Sequence, residues 1–241
     1  MERAIFVAEA GGPEDLVMIK PLYLLADSQL FFWKGDGGSL AERIRADLDT
    51  GNPKAAYIGA SNGDQPEFYG LFVAAMEVMG ISNCRMVPSQ PSREDILFTE
   101  DADLILLAGG EVERGWQVFE QNGLKDLVPR RRFDGAILIG VSAGAVQFGL
   151  GVLSNSAQPK QIPMFRFAPF YIGVHDEKND WWDLRALVNL SQSDARAIGI
   201  AAGGGAIYSP DGALEPVRKP LTELLKQNTK ISENMLAPLV R

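Results

Sequence analysis

Residues 136–151, AILIGVSAGAVQFGLG, constrain this chain more than any other stretch. Residues 136–139 are an apolar run of the kind that makes a buried strand. Gly140-Val141-Ser142-Ala143-Gly144 follows at once, and the small residues after it can begin a helix. A strand, a sharp turn and a helix in that order give the G-x-S-x-G pattern its meaning. The turn forces the serine backbone into a strained conformation. Its neighbours must be small, because larger side chains would strike the adjoining strand and helix. Ser142 is thereby expected to hold its hydroxyl clear of the sheet, at the positive end of a helix. Taken alone, the pentapeptide fits equally well a glycine- and alanine-rich junction packed closely for its own sake. The rest of the chain has to discriminate.

From residue 55 to residue 150, strands alternate with helices. Apolar runs at 55–58, 84–87, 104–107 and 136–139 read as strands. Helices are predicted at 39–48 with Ser39 as N-cap, 67–79, 92–98 with Ser92 as N-cap, 112–121, and 124–128 up to Pro129. This alternation implies an α/β fold with a mainly parallel, doubly wound sheet covered on both faces. Nearer the start, 4–8 is an apolar run, and 23–26 and 29–33 read as strands about an Asp27-Ser28 turn. After Gly151 the pattern changes. Residues 154–169 look irregular, 170–174 are an apolar run ending at His175, and 180–188 look helical. Two further apolar runs, 197–201 and 206–208, flank Gly203-Gly204-Gly205. No Lys-Ser/Thr follows those glycines, so they read as a bend and not a phosphate loop. Pro210-Asp211-Gly212 marks a turn between strands, and 221–227 predicts a C-terminal helix. At 241 residues the chain fits one α/β domain over 1–241. Residues 1–50 are then an extension on the same sheet, adding to its edge or forming a contact in a homodimer.

Charge and cysteine usage narrow the partners. The chain has 23 basic and 31 acidic residues, a formal net charge of −8, which disfavours nucleic acid. Arg130-Arg131-Arg132 reads as a solvated loop before the next strand. A single cysteine, Cys84, allows no intramolecular disulfide, and no Cys/His cluster has zinc spacing. Cys84 is expected to be a buried structural thiol. No apolar run is long enough to span a membrane, and the first residues lack a signal-peptide pattern, so a cytoplasmic location is the default expectation. No metal or cofactor is expected.

In parallel sheets, sites form at the C-terminal ends of the strands. Three loops fall there: 61–64, 109–111 and 140–144. If their strands are neighbours the loops converge, which makes Ser61, Asn62 and Glu111 candidate substrate-binding residues. A serine hydroxyl needs a base to take its proton and donors to hold an oxyanion. His175 is the only histidine in the chain, so it is the only imidazole base available to Ser142. The backbone N–H groups of Gly110 and Ala143 are the candidate oxyanion donors.

These segments resemble the family of serine peptidases that contains aspartyl dipeptidase (dipeptidase E) and cyanophycinase. The resemblance runs from about Lys54 to Pro216. It is carried by Ala55-Ala56-Tyr57-Ile58-Gly59-Ala60-Ser61 with Pro66-Glu67-Phe68-Tyr69, by Leu106-Leu107-Ala108-Gly109-Gly110, and by Gly140-Val141-Ser142-Ala143-Gly144-Ala145. Ile172-Gly173-Val174-His175 and Ala197-Ile198-Gly199-Ile200 with Ser209-Pro210-Asp211-Gly212 complete it. It implies a flavodoxin-like, class I glutamine amidotransferase-like three-layer sandwich. It also implies hydrolysis of small or atypical peptides, of aspartyl or β-aspartyl type, through an acyl-enzyme and without a cofactor. Three positions depart from the family pattern. Ala201 and Ala202 stand where an acid would complete a Ser-His-Glu arrangement. Gly173 stands where cyanophycinase-like members carry an aspartate. Glu111 replaces an asparagine or similar residue and would favour a cationic substrate group over an aspartyl side chain. Asp176, Glu177, Asp180 and Asp211 are the carboxylates near enough in sequence to stand in for the acid. The alternatives are a binding protein that has lost the acid, and an amidase or esterase acting on a non-peptide substrate.

Overall fold

The structure, a computed structural model, describes residues 18–35 and 38–238; the apolar run at 4–8 lies outside the described residues. In chain order the first half holds β1 (Leu22–Leu25), β2 (Lys34–Gly35), β3 (Gly38–Ser39), α1 (Leu40–Ala46), β4 (Lys54–Ile58), α2 (Pro66–Val78), β5 (Asn83–Val87) and α3 (Arg93–Glu100). Then come β6 (Leu104–Leu107), α4 (Val112–Gln121), α5 (Leu124–Phe133), β7 (Ile137–Val141) and the short α6 (Ala143–Gln147). The last part holds β8 (Gly151–Leu153), β9 (Gln161–Pro163), β10 (Tyr171–Val174), α7 (Trp182–Leu190), β11 (Ala195–Ile200), β12 (Gly205–Tyr208), β13 (Leu214–Val217), β14 (Leu221–Gln227) and β15 (Lys230–Leu236).

A seven-stranded sheet in the order β13-β12-β1-β7-β6-β4-β5 forms the centre. Its five strands from β1 to β5 run parallel, β12 runs antiparallel to them, and β13, antiparallel to β12, returns to their direction. The strands are apolar on both faces, as a doubly covered sheet requires. Leu22, Leu24, Ile58, Ile105, Leu107 and Leu138 face Trp116, Phe119 and Leu127 of α4 and α5. Alternate residues, among them Tyr23, Leu25, Tyr57, Leu106 and Ile139, face Ile44 of α1 and Phe72 and Met76 of α2. The result is a three-layer α/β sandwich. Ser39 and Ser92 cap α1 and α3 in reciprocal capping boxes with Glu42 and Asp95.

A second sheet, β10-β11-β14-β15, packs against this body. Its Ile172, Ile198, Ile200 and Leu221 join the main core. Tyr171, Ala197 and Leu224 turn the other way, to Leu184, Leu187 and Val188 of α7. Gly173 is bare for a packing reason: a Cβ there would lie 2.7 Å from Leu184 Cγ.

Several expectations are corrected. Residues 29–33 are not a strand. Residues 29–32 lie in a 3₁₀ turn, Ser28–Phe32, with Trp33 as its C-cap and Asp27 as its N-cap, whose Oδ1 accepts the Gln29 N–H at 3.0 Å. Its Leu30 and Phe31 are buried. Residues 221–227 are strand β14, not a helix. The leucines at 221, 224 and 225 also suit a helix face, but β14 pairs along its length with β11 and β15, and tertiary pairing overrides the weak local preference. Within 154–169, Gln161–Pro163 forms a hairpin with Gly151–Leu153. Strand β1 lies inside the sheet, between β12 and β7, and not at its edge.

Pro129 does not end α5. Leu124, Leu127, Val128 and Arg132 bury one continuous face of that helix, and this outweighs the roughly 3 kcal/mol a mid-helix proline costs. The three arginines are therefore helical and not a loop. Arg130 pairs with Glu100, and Arg131 with Asp134. Arg132 is 7% exposed and stacks on Phe167 at 5.1 Å, and its Nη1 has no partner among the described residues. Desolvation pulls its pKa down to about 10. A buried cation without a carboxylate destabilises more than a cation–π contact of about 0.5–2 kcal/mol returns. Arg132→Met is accordingly expected to raise the urea midpoint, by about 1 kcal/mol in unfolding free energy; a lower midpoint would contradict this.

Cys84, in β5, is half-buried and free. Burial, and secondarily Glu77, raise its thiol pKa. A thiolate is the reactive form. In a disulfide-exchange assay at pH 8, Cys84 of the folded protein should therefore react more slowly than free cysteine. An equal or faster rate would show the thiol to be activated.

Candidate active site

Strand β7 ends at Val141 and α6 begins at Ala143, which leaves Ser142 on the turn with φ 49° and ψ −111°. Backbone in this region is strained for any residue but glycine. The turn is held by the Ser142 N–H, which donates to Leu25 O at 2.8 Å, and by Ser142 O, which accepts the Ala145 N–H at 3.0 Å. The flanking glycines are sterically required. A Cβ at Gly140 would lie 2.5 Å from Ala145 N, and one at Gly144 would lie 2.1 Å from Leu107 O. The closeness of packing and the exposed hydroxyl thus have one cause.

His175 follows β10 directly. Its N–H donates to Ile200 O at 2.9 Å, and its own φ is 42°. Both members of the pair therefore sit on left-handed backbone, one at each side of the cleft. The second case has no local sequence signal. Ser142 Oγ and His175 Nε2 are 2.8 Å apart, within hydrogen-bond distance. For the ring to accept the serine proton, Nδ1 must carry the hydrogen.

The loop after β6 closes over this pair. Gly110 has φ +130°, and a Cβ there would lie 2.2 Å from Ser61 O. The same carbonyl accepts the Glu111 N–H at 2.8 Å, so Ser61 fixes the loop through its backbone. Among the described residues, neither the Gly110 N–H nor the Ala143 N–H has a protein acceptor; the latter is in the first turn of α6, where helix geometry leaves it free. Gly109 brings its backbone against Ser142, since a Cβ there would lie 3.2 Å from Ser142 Cβ.

The three loops lie side by side because β4, β6 and β7 are adjacent. A cavity of about 540 Å³ opens beside the pair, and Ser61, Asn62, Glu111, Gly110, Ser142 and His175 all line it. The side chain of Ser61, however, is buried against α6. It is 2% exposed, and its Oγ accepts from Gln147 Nε2 at 3.2 Å, beside Gly115. Gln147 Nε2 also donates to Val112 O at 3.1 Å, which fixes the orientation of its amide. Ser61 is thus a positioning residue for the glycine loop. Asn62 donates to Tyr57 OH at 2.8 Å and accepts the Gln65 N–H at 3.2 Å.

Sequence reasoning passes over several residues at the site. Asp27, read only as a turn residue, accepts the Gly203 N–H at 2.6 Å and so ties the loop after β1 to the bend before β12. Arg114, Phe31, Phe68 and Leu71 also line the cavity. Only their distance along the chain hides them, since the topology brings them together.

Among the described residues, no carboxylate is hydrogen-bonded to the His175 ring. Asp176 Oδ1 accepts from Asn179, Glu177 Oε1 accepts the Ala202 N–H at 3.3 Å, Asp180 pairs with Arg185, and Asp211 Oδ1 accepts the Ala213 N–H. Among the described residues the His175 ring has one hydrogen-bond partner, Ser142. The described residues also contain no group of three or more His, Cys, Asp or Glu placed to hold a metal ion. No described helix is long and apolar enough to cross a membrane.

The model of peptidase family S51 matches residues 24–181. The chain is 22% identical over 155 residues to YgaJ, an uncharacterized peptidase of Bacillus subtilis (strain 168), covering 61% of this chain and 67% of YgaJ. Among solved structures it is similar to a peptidase from an acI-B1 actinobacterium, with TM-score 0.61, 17% identity, and coverage of 91% of this chain and 96% of that one. It is also similar to a protein from Listeria monocytogenes EGD-e described as a candidate peptidase E, with TM-score 0.57, 15% identity, and coverage of 91% and 100%. At these identities the structural likeness carries the fold alone.

Proposed function

Because the chain belongs to peptidase family S51, we propose that it is a serine-type peptidase, a single hydrolytic domain that cleaves short peptides through an acyl-enzyme. The observation that carries this reading is the 2.8 Å contact between Ser142 Oγ and His175 Nε2, beside two unpaired backbone N–H groups. His175 Nε2 takes the proton from Ser142 Oγ as the oxygen attacks the scissile carbonyl. The Gly110 and Ala143 N–H groups receive the oxyanion. The imidazolium then gives its proton to the departing amine, the C–N bond breaks, and the acyl group remains on Ser142. Water, deprotonated by His175, hydrolyses that ester and returns the serine.

The missing acid is the one observation favouring a binding protein on the same fold. A fluorophosphonate probe separates the two. The wild-type protein should be labelled, and Ser142→Ala should not. His175→Ala should be labelled at least tenfold more slowly. A folded wild-type protein that takes no label would favour the binding protein.

A further inference from the structure

We propose that the cavity beside Ser142 selects a short peptide whose first residue has a free amino group and a large apolar side chain. This rests on the peptidase reading above and names the substrate class of that site. The cavity, at about 540 Å³, lies within the range of small-ligand sites, about 300–1,000 Å³. Its walls include Phe31, Tyr57, Phe68, Leu71, Phe72 and Leu106. Phe72 and Leu106 form a buried floor, while Phe68 and Leu71, three residues apart on α2, are 46% and 45% exposed. An apolar substrate side chain laid between them would cover surface that the described fold leaves to water.

Two polar side chains in those walls, Tyr57 and Asp27, are already engaged. Tyr57 OH accepts from Asn62, and Asp27 accepts backbone N–H groups from Gln29 and Gly203. The cavity is lined by two carboxylates, Asp27 and Glu111, and one guanidinium, Arg114. That guanidinium lies over Gly63, where a Cβ would be 2.4 Å from Arg114 Nη2. An aspartyl side chain would thus lose its water among aromatic rings and meet a net negative lining, which is unfavourable for a carboxylate.

Glu111 answers a different group. It follows the oxyanion glycine directly, caps α4 without a side-chain bond to it, and has no ion-pair partner among the described residues. The α-nitrogen of an acyl residue is two bonds from its carbonyl carbon. With that carbonyl oxygen on Gly110 N–H, a free ammonium falls within reach of a carboxylate one residue further on.

The test is calorimetric titration of the Ser142→Ala variant, which needs no nucleophile, with Phe-Gly, Leu-Gly, Asp-Gly, Arg-Gly and N-acetyl-Phe-Gly. Phe-Gly and Leu-Gly should bind at least tenfold more tightly than Asp-Gly and Arg-Gly. Acetylation, or Glu111→Gln, should weaken Phe-Gly at least tenfold. Phe68→Ala, at an exposed position, should weaken Phe-Gly severalfold and leave Asp-Gly unchanged. Equal or tighter binding of Asp-Gly or Arg-Gly, or no binding of any of the peptides, would overturn the assignment. Selective binding of Phe-Gly with no hydrolysis by the wild-type protein would sink the peptidase mechanism and leave the pocket assignment standing. Hydrolysis with an aspartyl preference would do the reverse.

Discussion

Replacing Ser142 by alanine should lower kcat for a cleaved peptide by about 10²-fold, and not by the 10⁶-fold a complete triad would lose. The reasoning starts from the serine proteases in which each member has been removed. There the whole triad supplies about 2 × 10⁶ in kcat, and loss of its acid alone forfeits about 3 × 10⁴. The ratio, roughly 10², is what a serine and histidine retain without an acid. In this chain the family resemblance puts Ala202 at the acid's position, and the four nearby carboxylates are engaged elsewhere. The remaining activity in Ser142→Ala would come from the oxyanion donors and from substrate binding. Steady-state kinetics of both proteins on one peptide read this directly. A loss of less than threefold would remove Ser142 from the chemistry. A loss near 10⁶ would mean that the His175 ring is held by a group outside the described residues.

Gly110→Ala should lower kcat by about 10²–10³-fold, the effect of losing one oxyanion donor. Two independent features of the glycine produce this. Its φ of +130° is one that a side chain rarely adopts, and the new methyl would stand 2.2 Å from the backbone oxygen of Ser61. That oxygen also accepts the Glu111 N–H, so the clash cannot be relieved without moving the loop that aims the Gly110 N–H. The loop is at the surface of the cavity and not in the core, so the variant should fold. An unchanged circular dichroism spectrum and an almost unchanged KM should accompany the fall in kcat. A variant with wild-type kcat would show that the Gly110 N–H does not face the reacting carbonyl.

The parts of this site that were legible in the sequence are those with local causes. Gly140 and Gly144 are glycines because backbone atoms of Ala145 and Leu107 occupy the space of a side chain. That requirement is written in five consecutive residues. The single histidine left no choice of base. Strands β4, β6 and β7 were readable because both of their faces are buried, which leaves unbroken apolar runs. What could not be read was decided by distant partners. Leu221, Leu224 and Leu225 suit a helix until β11 and β15 flank them. Pro129 looks like a helix end until the burial of Leu127, Val128 and Arg132 on either side of it is known. The hydroxyl of Ser61 is aimed by Gln147, 86 residues away, so a loop position at a strand end did not reveal its role. The apolar wall of the cavity, drawn from residues between Phe31 and Leu106, has no signature along the chain at all.

The most direct test of the account is the fate of the acyl group. Wild-type protein mixed with an activated ester of phenylalanine, quenched in acid within the first turnover and measured by intact mass, should carry one acyl group. Proteolytic digestion should place that group on the peptide containing Ser142. Turnover with no adduct, or an adduct on any other residue, would contradict the mechanism.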